Sequence, residues 1–155
     1  VLWGVLAFPI TLLIDLLSSQ ALRLLLGGSA FQQLSEWERQ TVSLEALLES
    51  LPSGLMAVGF LLVVAVAAPV GEELFFRGFV FNALRHRVRL RHAVWVSAVL
   101  FALMHVSLRS FVPILVIGAA LAWLYTRTGS IWSSVVMHGT FNLLSATAAI
   151  LWGGG

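Results

Sequence analysis

The sequence predicts an all-α fold, a polytopic integral membrane helical bundle of about six helices plus an interfacial amphipathic segment. Of its 155 residues, 59% are hydrophobic and only 10% are charged, whereas an ordinary soluble domain is about 25% charged. A chain this short cannot bury so much apolar surface in a water-soluble core, because small domains leave a large share of their surface exposed. Most of the charges also lie outside the long apolar segments, in residues 27–50 and in the breaks between segments. Composition and pattern therefore both indicate a lipid environment.

The N-terminal third of the chain predicts one membrane helix and one amphipathic segment. Residues 1–26 are apolar apart from a few positions, and Pro9 is expected to bend this helix. Residues 27–50 hold four of the seven acids, and their apolar residues recur at near-helical spacing. This pattern is typical of a helix that lies in the membrane interface. We treat 1–50 as an N-terminal unit and 51–152 as the core of the protein.

The core region predicts a series of membrane-spanning segments. From Ser50 to Gly71 the sequence carries no charge, which is enough for a span of about 20 residues. Residues 72–84 continue the helix, and Pro69 is expected to kink the junction. Three further apolar segments follow, at 92–108, 110–126 and 130–152.

The arginines predict how the chain is oriented in the bilayer. Four of them lie in the run "RHRVRLRH", residues 85–92, and basic loops tend to face the cytoplasm. This run suits a membrane loop better than a nucleic-acid patch, so we expect the lipid bilayer and no nucleic acid among the partners. The chain has no cysteine, which excludes disulfides, thiolate nucleophiles and cysteine metal sites.

Polar residues on three separate segments are expected at one depth in the bilayer. With a helical rise of about 1.5 Å per residue, Glu72 and His105 lie about 20 Å from the nearest basic boundary residue. His138 lies about 16 Å from its own boundary. Asn142 is one turn beyond His138 on the same face. The counting therefore predicts a polar site inside the bundle.

The spacing within the segments suggests different roles for neighbouring residues. Glu73 and Arg77 stand at i and i+4, with the acid on the N-terminal side, which favours a helical ion pair. Glu72 points about 100° away around the helix and is the carboxylate left free to act. Phe101 and His105 also share a face, so Phe101 is expected to form a wall beside the histidine.

Two kinds of hydrolytic chemistry fit these residues. In the first, Glu72 with His105 activates water as a general base, and His138 and Asn142 stabilise the oxyanion. In the second, Glu72, His105 and His138 hold a divalent metal such as zinc, leaving one coordination position for water. The residues alone leave both alternatives open.

Three motifs resemble those of a known family. "EELFFR" (72–77), "FALMH" (101–105) and "HGTFN" (138–142) look like the EExxxR, FxxxH and HxxxN motifs of the CPBP family, and they occur in the same order. That family includes CAAX prenyl endopeptidases and bacteriocin-processing or immunity (Abi) proteins. The resemblance covers roughly residues 55–150 and implies an intramembrane endopeptidase. It implies that Glu72 and His105 activate water, that His138 and Asn142 shape the oxyanion site, and that Glu73 and Arg77 support them.

The resemblance also implies the class of partner and leaves the cofactor open. The substrate would be a peptide or protein, prenylated in the CAAX-type members, and the location the plasma membrane of a prokaryote. Both metal-dependent and metal-free glutamate mechanisms have been described for this family. The alternative function is a non-catalytic membrane immunity or scaffold protein, or a proton-coupled carrier that uses Glu72 and His105 as a relay.

The catalytic motifs of other classes of intramembrane protease do not fit the sequence. The HExxH zinc motif is absent, and no aspartate follows Asp15, so an aspartyl dyad within the core is excluded. The Gly-x-Ser at 27–29 lies outside a convincing membrane helix and has no catalytic partner nearby. Asp15 itself is expected to reach the interface or to pair with an arginine.

Overall fold

The computed structural model describes residues 2–42 and 54–152, and nearly all of these residues are helical. The all-α prediction is confirmed, and the described ranges contain no strand. They form six helices. These are α1 (Leu2–Leu26), α2 (Gly28–Val42), α3 (54–85), α4 (Leu90–Met104), α5 (Phe111–Thr128) and α6 (Ile131–Trp152).

Helix α3 is continuous, so the predicted segments 50–71 and 72–84 are one element from residue 54 onward. Two stretches within it, Val63–Ala67 and Leu74–Phe81, are π-helical. They flank the α-helical turn Ala68–Glu73, which carries both glutamates of the first motif. Because π-helical turns are rare and occur frequently at functional sites, this arrangement points to the Glu72–Glu73 turn.

The exposed surface of the bundle is apolar, as a membrane protein requires. Among the described residues, three helices are long and apolar enough to cross a membrane: Leu2–Leu26, Val58–Arg85 and Phe111–Thr128. Large apolar side chains such as Leu17 and Phe79 are more than half exposed. Such a surface would be unfavourable in water and suits contact with lipid. The chain is therefore a polytopic integral membrane protein.

Close packing between helices relies on small residues. The core cluster joins α3, α4, α5 and α6 around the buried side chains Phe76, Phe101, Ile117, Leu121, Leu124 and Met137. At Gly118, a Cβ atom would lie 3.1 Å from the Phe101 ring and 3.2 Å from the Ala98 Cα. Glycine at this position therefore lets α5 approach α4 closely, as in many membrane bundles.

Some segment boundaries differ from those predicted. Helix α4 ends at Met104, four residues before the predicted end at 108, and His105 is its C-cap. Val106 then adopts a positive φ of 52°, which takes the chain out of the helix. The predicted amphipathic segment is helical over Gly28–Val42, and its residues 43–50 lie outside the described part. The division into 1–50 and 51–152 stays a prediction.

Gly139→Ala is expected to destabilise the bundle, because a Cβ atom at Gly139 would overlap with the Ala65 backbone oxygen on α3. Relieving this overlap requires α6 and α3 to separate, and overpacking of this kind costs about 1–3 kcal/mol or more. Gly71→Ala is the matched control, because no neighbouring atom from residues 2–42 or 54–152 lies within 4 Å of its added Cβ. Unfolding titrations in detergent micelles should show a lower midpoint for Gly139→Ala alone. Equal midpoints for the two variants would contradict the observed approach of α6 to α3.

Candidate active site

The structure brings together three of the sequence-predicted site residues, one from each of three helices. Glu72 comes from α3, His105 from the end of α4 and His138 from α6. Glu72 Oε2 lies 3.9 Å from His105 Nε2 and 3.8 Å from His138 Nε2. The predicted convergence of these side chains is therefore observed, while their catalytic roles stay predictions.

Glu73 is the centre of a buried polar network. Its Oε1 atom lies 3.0 Å from Arg77 Nη1 and 3.1 Å from His138 Nδ1. Arg77 also donates from Nη2 to the Gly118 carbonyl oxygen at 2.8 Å, which ties α3 to α5. All three side chains of the network are buried. The predicted Glu73–Arg77 pair is present, and the contact with His138 is an addition that the sequence did not indicate.

The hydrogen-bond partners assign the proton positions of both histidine rings. His105 Nδ1 lies 2.8 Å from the Phe101 carbonyl oxygen, which can only accept, so Nδ1 carries the hydrogen. His138 Nδ1 faces the Glu73 carboxylate and carries a hydrogen for the same reason. In their neutral forms, both rings therefore turn an unprotonated Nε2 toward Glu72. Glu72 Oε2 and the two Nε2 atoms are then three hydrogen-bond acceptors close to one another.

Phe101 is the wall between the polar groups, as its spacing from His105 predicted. Its ring centroid lies 4.7 Å from that of His105 and 5.5 Å from that of His138. The Arg77 guanidinium carbon is 4.9 Å from the same ring, a favourable cation–π distance. One buried aromatic side chain thus contacts both imidazoles.

Asn142 is linked to the irregular part of α3. In the first π-helical stretch, the Ala68 N–H donates to the Val63 carbonyl, one residue farther than in an α-helix. The same register would pair the Val64 carbonyl with residue 69, which is a proline and has no N–H. Asn142 Nδ2 donates to this Val64 oxygen at 3.0 Å. Asn142 therefore satisfies a carbonyl that Pro69 cannot, and its second amide hydrogen is left for another acceptor.

A cavity of about 370 Å³ opens beside the two histidines and Asn142. Its walls are mainly apolar and come chiefly from α1, α5 and α6, including Phe8, Leu12, Pro113, Ile114, Ile117 and Phe141. Its size and lining are typical of a pocket that encloses an apolar group. The imidazoles and the Asn142 amide supply its few polar atoms together with side chains such as Asp15.

Two acids near the site were not predicted to belong to it, although Asp15 was expected to reach the interface or to pair with an arginine. Asp15 on α1 lines the cavity, and its position four residues after Thr11, another lining residue, is the signal that could have placed it there. Glu38 on α2 is buried and accepts hydrogen bonds from the loop that follows His105. Nothing in the sequence distinguishes Glu38 from the other acids of its segment.

The side chains of the cluster are of the types that bind a divalent metal, but their ligand atoms lie farther apart than in a metal site. Two unprotonated imidazole nitrogens and a carboxylate are typical zinc ligands. Bonds of about 2.0–2.1 Å in a tetrahedral site would place these donors about 3.3 Å apart, against 3.8 and 3.9 Å for the pairs involving Glu72. Accordingly, within residues 2–42 and 54–152 no group of three His, Asp or Glu side chains has the spacing of a preformed metal site.

Fold and site define an integral membrane helical protein with a carboxylate–histidine cluster between three helices. The sequence profile of the type II CAAX prenyl endopeptidase Rce1-like family matches residues 54–144, and the chain belongs to this family. The matched region contains every residue of the cluster. No solved structure matches the chain.

Two curated relatives are similar to the chain. The "Putative membrane peptidase YdiL" of Bacillus subtilis is 27% identical over 139 residues, covering 89% of this chain and 52% of that protein. The UPF0177 protein YxdF of Lactococcus lactis is 28% identical over 87 residues, covering 56% of this chain and 48% of that protein. The chain thus spans about half the length of the curated relatives it matches.

Proposed function

We propose that the protein is an intramembrane endopeptidase in which Glu72 and His105 activate water for hydrolysis of a peptide bond. The observation that carries this proposal is the approach of Glu72 Oε2 to two imidazole nitrogens, at 3.8 and 3.9 Å, next to an apolar cavity. The family and the name of the Bacillus relative support a peptidase.

The separation of these atoms suits one bridging water. At 3.8–3.9 Å the carboxylate and imidazole are too far apart for a direct hydrogen bond, but a water molecule can contact both. As its oxygen attacks the carbonyl carbon of the substrate, the water gives a proton to Glu72. Glu72 then passes this proton to the leaving amine. His105 Nε2 accepts a hydrogen bond from the other hydrogen of the water, which stays on the attacking oxygen, and the Nδ1–H bond to the Phe101 carbonyl orients the ring.

His138 and Asn142 are proposed to stabilise the tetrahedral oxyanion. Asn142 donates one amide hydrogen to the Val64 carbonyl and has a second to offer in every protonation state. His138 uses Nδ1–H on Glu73, so it can donate from Nε2 only as an imidazolium. Glu73 would stabilise that imidazolium, while Arg77 balances the charge of Glu73. In this scheme Glu72 acts on the water and Glu73 supports His138, so the two adjacent glutamates have different partners.

A metal-assisted version uses the same atoms. Glu72 Oε2 and the Nε2 atoms of His105 and His138 are the donors that would hold a divalent ion such as zinc. When bound, such an ion supplies Lewis-acid activation of water. In that case Glu73 and the Phe101 carbonyl keep the imidazoles oriented, as outer-sphere partners of metal-binding histidines do.

The cavity supports an apolar peptide or protein as the substrate. Its walls would enclose an apolar side chain or a prenyl group, and the family description makes a prenylated peptide the first to test. Residues 85–92 are all exposed at the α3–α4 turn. Their exposure supports our proposal that this arginine-rich loop faces the cytoplasm of a prokaryotic plasma membrane.

A cleavage assay in lipid nanodiscs tests the proposed function. Prenylated and unprenylated forms of apolar peptides are incubated with the protein, with and without a chelator, and products are identified by mass spectrometry. Metal content of the same preparation is measured in parallel. Cleavage that persists in a metal-free, chelated sample supports the glutamate mechanism, and loss that returns with added zinc supports the metal version. A chain that cuts none of these peptides under either condition would contradict the proposal.

Ser145→Trp is expected to raise KM for an apolar peptide about tenfold or more. Ser145 lines the cavity, and an indole there would occupy much of its volume, which removes the burial that binds the substrate. Leu143→Trp is the matched control, because Leu143 is exposed on the same helix. Steady-state kinetics should separate the two variants. A Ser145→Trp protein with the KM of the control would place the substrate elsewhere.

A further inference from the structure

Glu38 binds the loop that immediately follows His105. The acid lies on α2, is only 6% exposed, and is remote in sequence from the three motifs. Its Oε2 accepts from the Ser107 hydroxyl at 2.7 Å. Its Oε1 accepts from the backbone N–H groups of Leu108 at 2.7 Å and Arg109 at 3.3 Å. A buried carboxylate thus collects three donors from consecutive residues ahead of α5.

The bound loop contains a strained residue next to the histidine. Val106 has φ = 52°, a conformation that is unfavourable for a β-branched side chain. Such a residue costs about 1–3 kcal/mol and persists only where the surroundings determine it. The three bonds to Glu38 begin at Ser107, the next residue along the chain. They are therefore placed to hold Val106 in this conformation.

We propose that Glu38 is a positioning residue: by fixing the 105–110 loop it sets the direction in which His105 Nε2 faces Glu72. This inference rests on the proposed function, in which His105 and Glu72 share a water. His105 lies at the very end of α4, so only one side of it is held by helical backbone. Without Glu38 the loop that follows His105 is released. His105 Nε2 then no longer stays at its distance of 3.9 Å from Glu72 Oε2.

The other acid of α2, Glu36, provides a matched control. Glu36 is exposed and pairs with Arg39 on its own helix, 2.9 Å away. The hydrogen bond from Arg39 holds the pKa of Glu36 below its ordinary value. Glu36→Gln changes the charge of α2 by the same amount as Glu38→Gln and leaves the loop bonds in place.

The test compares Glu38→Gln and Glu36→Gln in nanodiscs. Glutamine offers one acceptor oxygen and replaces the other by an NH₂ group that cannot accept from the loop. We expect kcat to fall about 10- to 100-fold for Glu38→Gln with KM within about twofold, since small misplacements of a catalytic group have effects of this size. We expect kcat of the Glu36→Gln control to stay within about twofold of the unsubstituted chain.

A second readout follows the histidine itself. The chain has four histidines, so the ring ¹⁵N resonances of His105 can be assigned with His105→Gln. We expect them to show one Nδ1–H tautomer in the unsubstituted chain and a mixture in Glu38→Gln. Unchanged His105 resonances in a folded Glu38→Gln protein would overturn the proposal, whether or not the chain is a peptidase. Absence of cleavage by the unsubstituted chain would instead count against the proposed function.

Val106→Gly supplies a rescue that a general loss of stability would not show. Glycine adopts positive φ without strain, so the loop needs less support from Glu38. We expect kcat of the double variant Glu38→Gln/Val106→Gly to be at least fivefold higher than that of Glu38→Gln. We also expect the double variant to show a single tautomer of His105. If the two substitutions are additive in both readouts, Glu38 does not act through the Val106 turn and the proposal is wrong.

Discussion

Glu72→Gln is expected to reduce peptide cleavage about 10²- to 10⁴-fold, the range typical for the loss of a general base. Glutamine keeps the shape of the side chain but cannot take the proton from water. The substitution should cost little stability, because Glu72 is 23% exposed and its Oε2 has no hydrogen-bond partner among the described residues. Cleavage kinetics and an unfolding midpoint, measured on the same preparation, check both statements.

The control for this variant is Glu36→Gln, which removes an exposed carboxylate on α2 and should leave kcat/KM within about twofold. A Glu72→Gln protein that cleaves at the original rate would exclude the general-base role and favour the non-catalytic immunity or scaffold function. Loss of proton-coupled transport without any cleavage product from the unsubstituted chain would favour the carrier. The same variant therefore separates all three functions.

Arg77→Met is expected to destabilise the protein by about 3–5 kcal/mol, the usual cost of removing one partner from a buried ion pair. Arg77 and Glu73 are both completely buried, 3.0 Å apart. Removing the guanidinium leaves the Glu73 charge with His138 as its one charged or polar partner in the described part of the chain, and it breaks the Arg77 bond to the Gly118 carbonyl. The free energy of unfolding, measured by denaturant titration in mixed micelles, gives the size of the effect.

The matched control is Glu36→Gln, which breaks an exposed ion pair with Arg39 on a single helix. Exposed pairs of this kind contribute little to stability, because water screens the charges. In addition, Glu73→Gln/Arg77→Met should be more stable than Arg77→Met alone, because the second substitution removes the unpaired charge. If Arg77→Met costs no more than Glu36→Gln, the Glu73–Arg77 pair does not hold the bundle together as inferred.

Local pattern was sufficient for the features that depend on one helix. Hydropathy and charge predicted the membrane bundle, because about 20 apolar residues in succession leave few alternatives to a span. The i, i+4 rule predicted the Glu73–Arg77 pair and the contact between Phe101 and His105, since helical geometry sets both. Counting residues from the basic boundaries also placed Glu72, His105 and His138 at about one depth, which is compatible with their observed contacts.

Contacts between distant helices could not be obtained in this way. His138 binds Glu73 across 65 residues of sequence, and Asn142 binds Val64 across 78. The bond from Ser107 to Glu38 spans 69 residues. Each depends on how one helix is rotated and shifted against another, which side-chain packing determines. The π-helical stretches of α3 could not be predicted from the sequence either. A wider helical turn rotates the residues that follow it, and so changes the direction in which Glu72 projects from the helix.

The sequence by itself therefore determined that this is a membrane helical protein and that Glu72, His105, His138 and Asn142 are candidates for its chemistry. Only the tertiary structure decided that Glu73 binds His138 as well as Arg77, and that Glu38 holds the loop after His105. The physical reason is the range of the interactions. Periodicity and hydropathy act within one segment, whereas hydrogen bonds of about 3 Å between segments require a rotation and register that no single segment encodes.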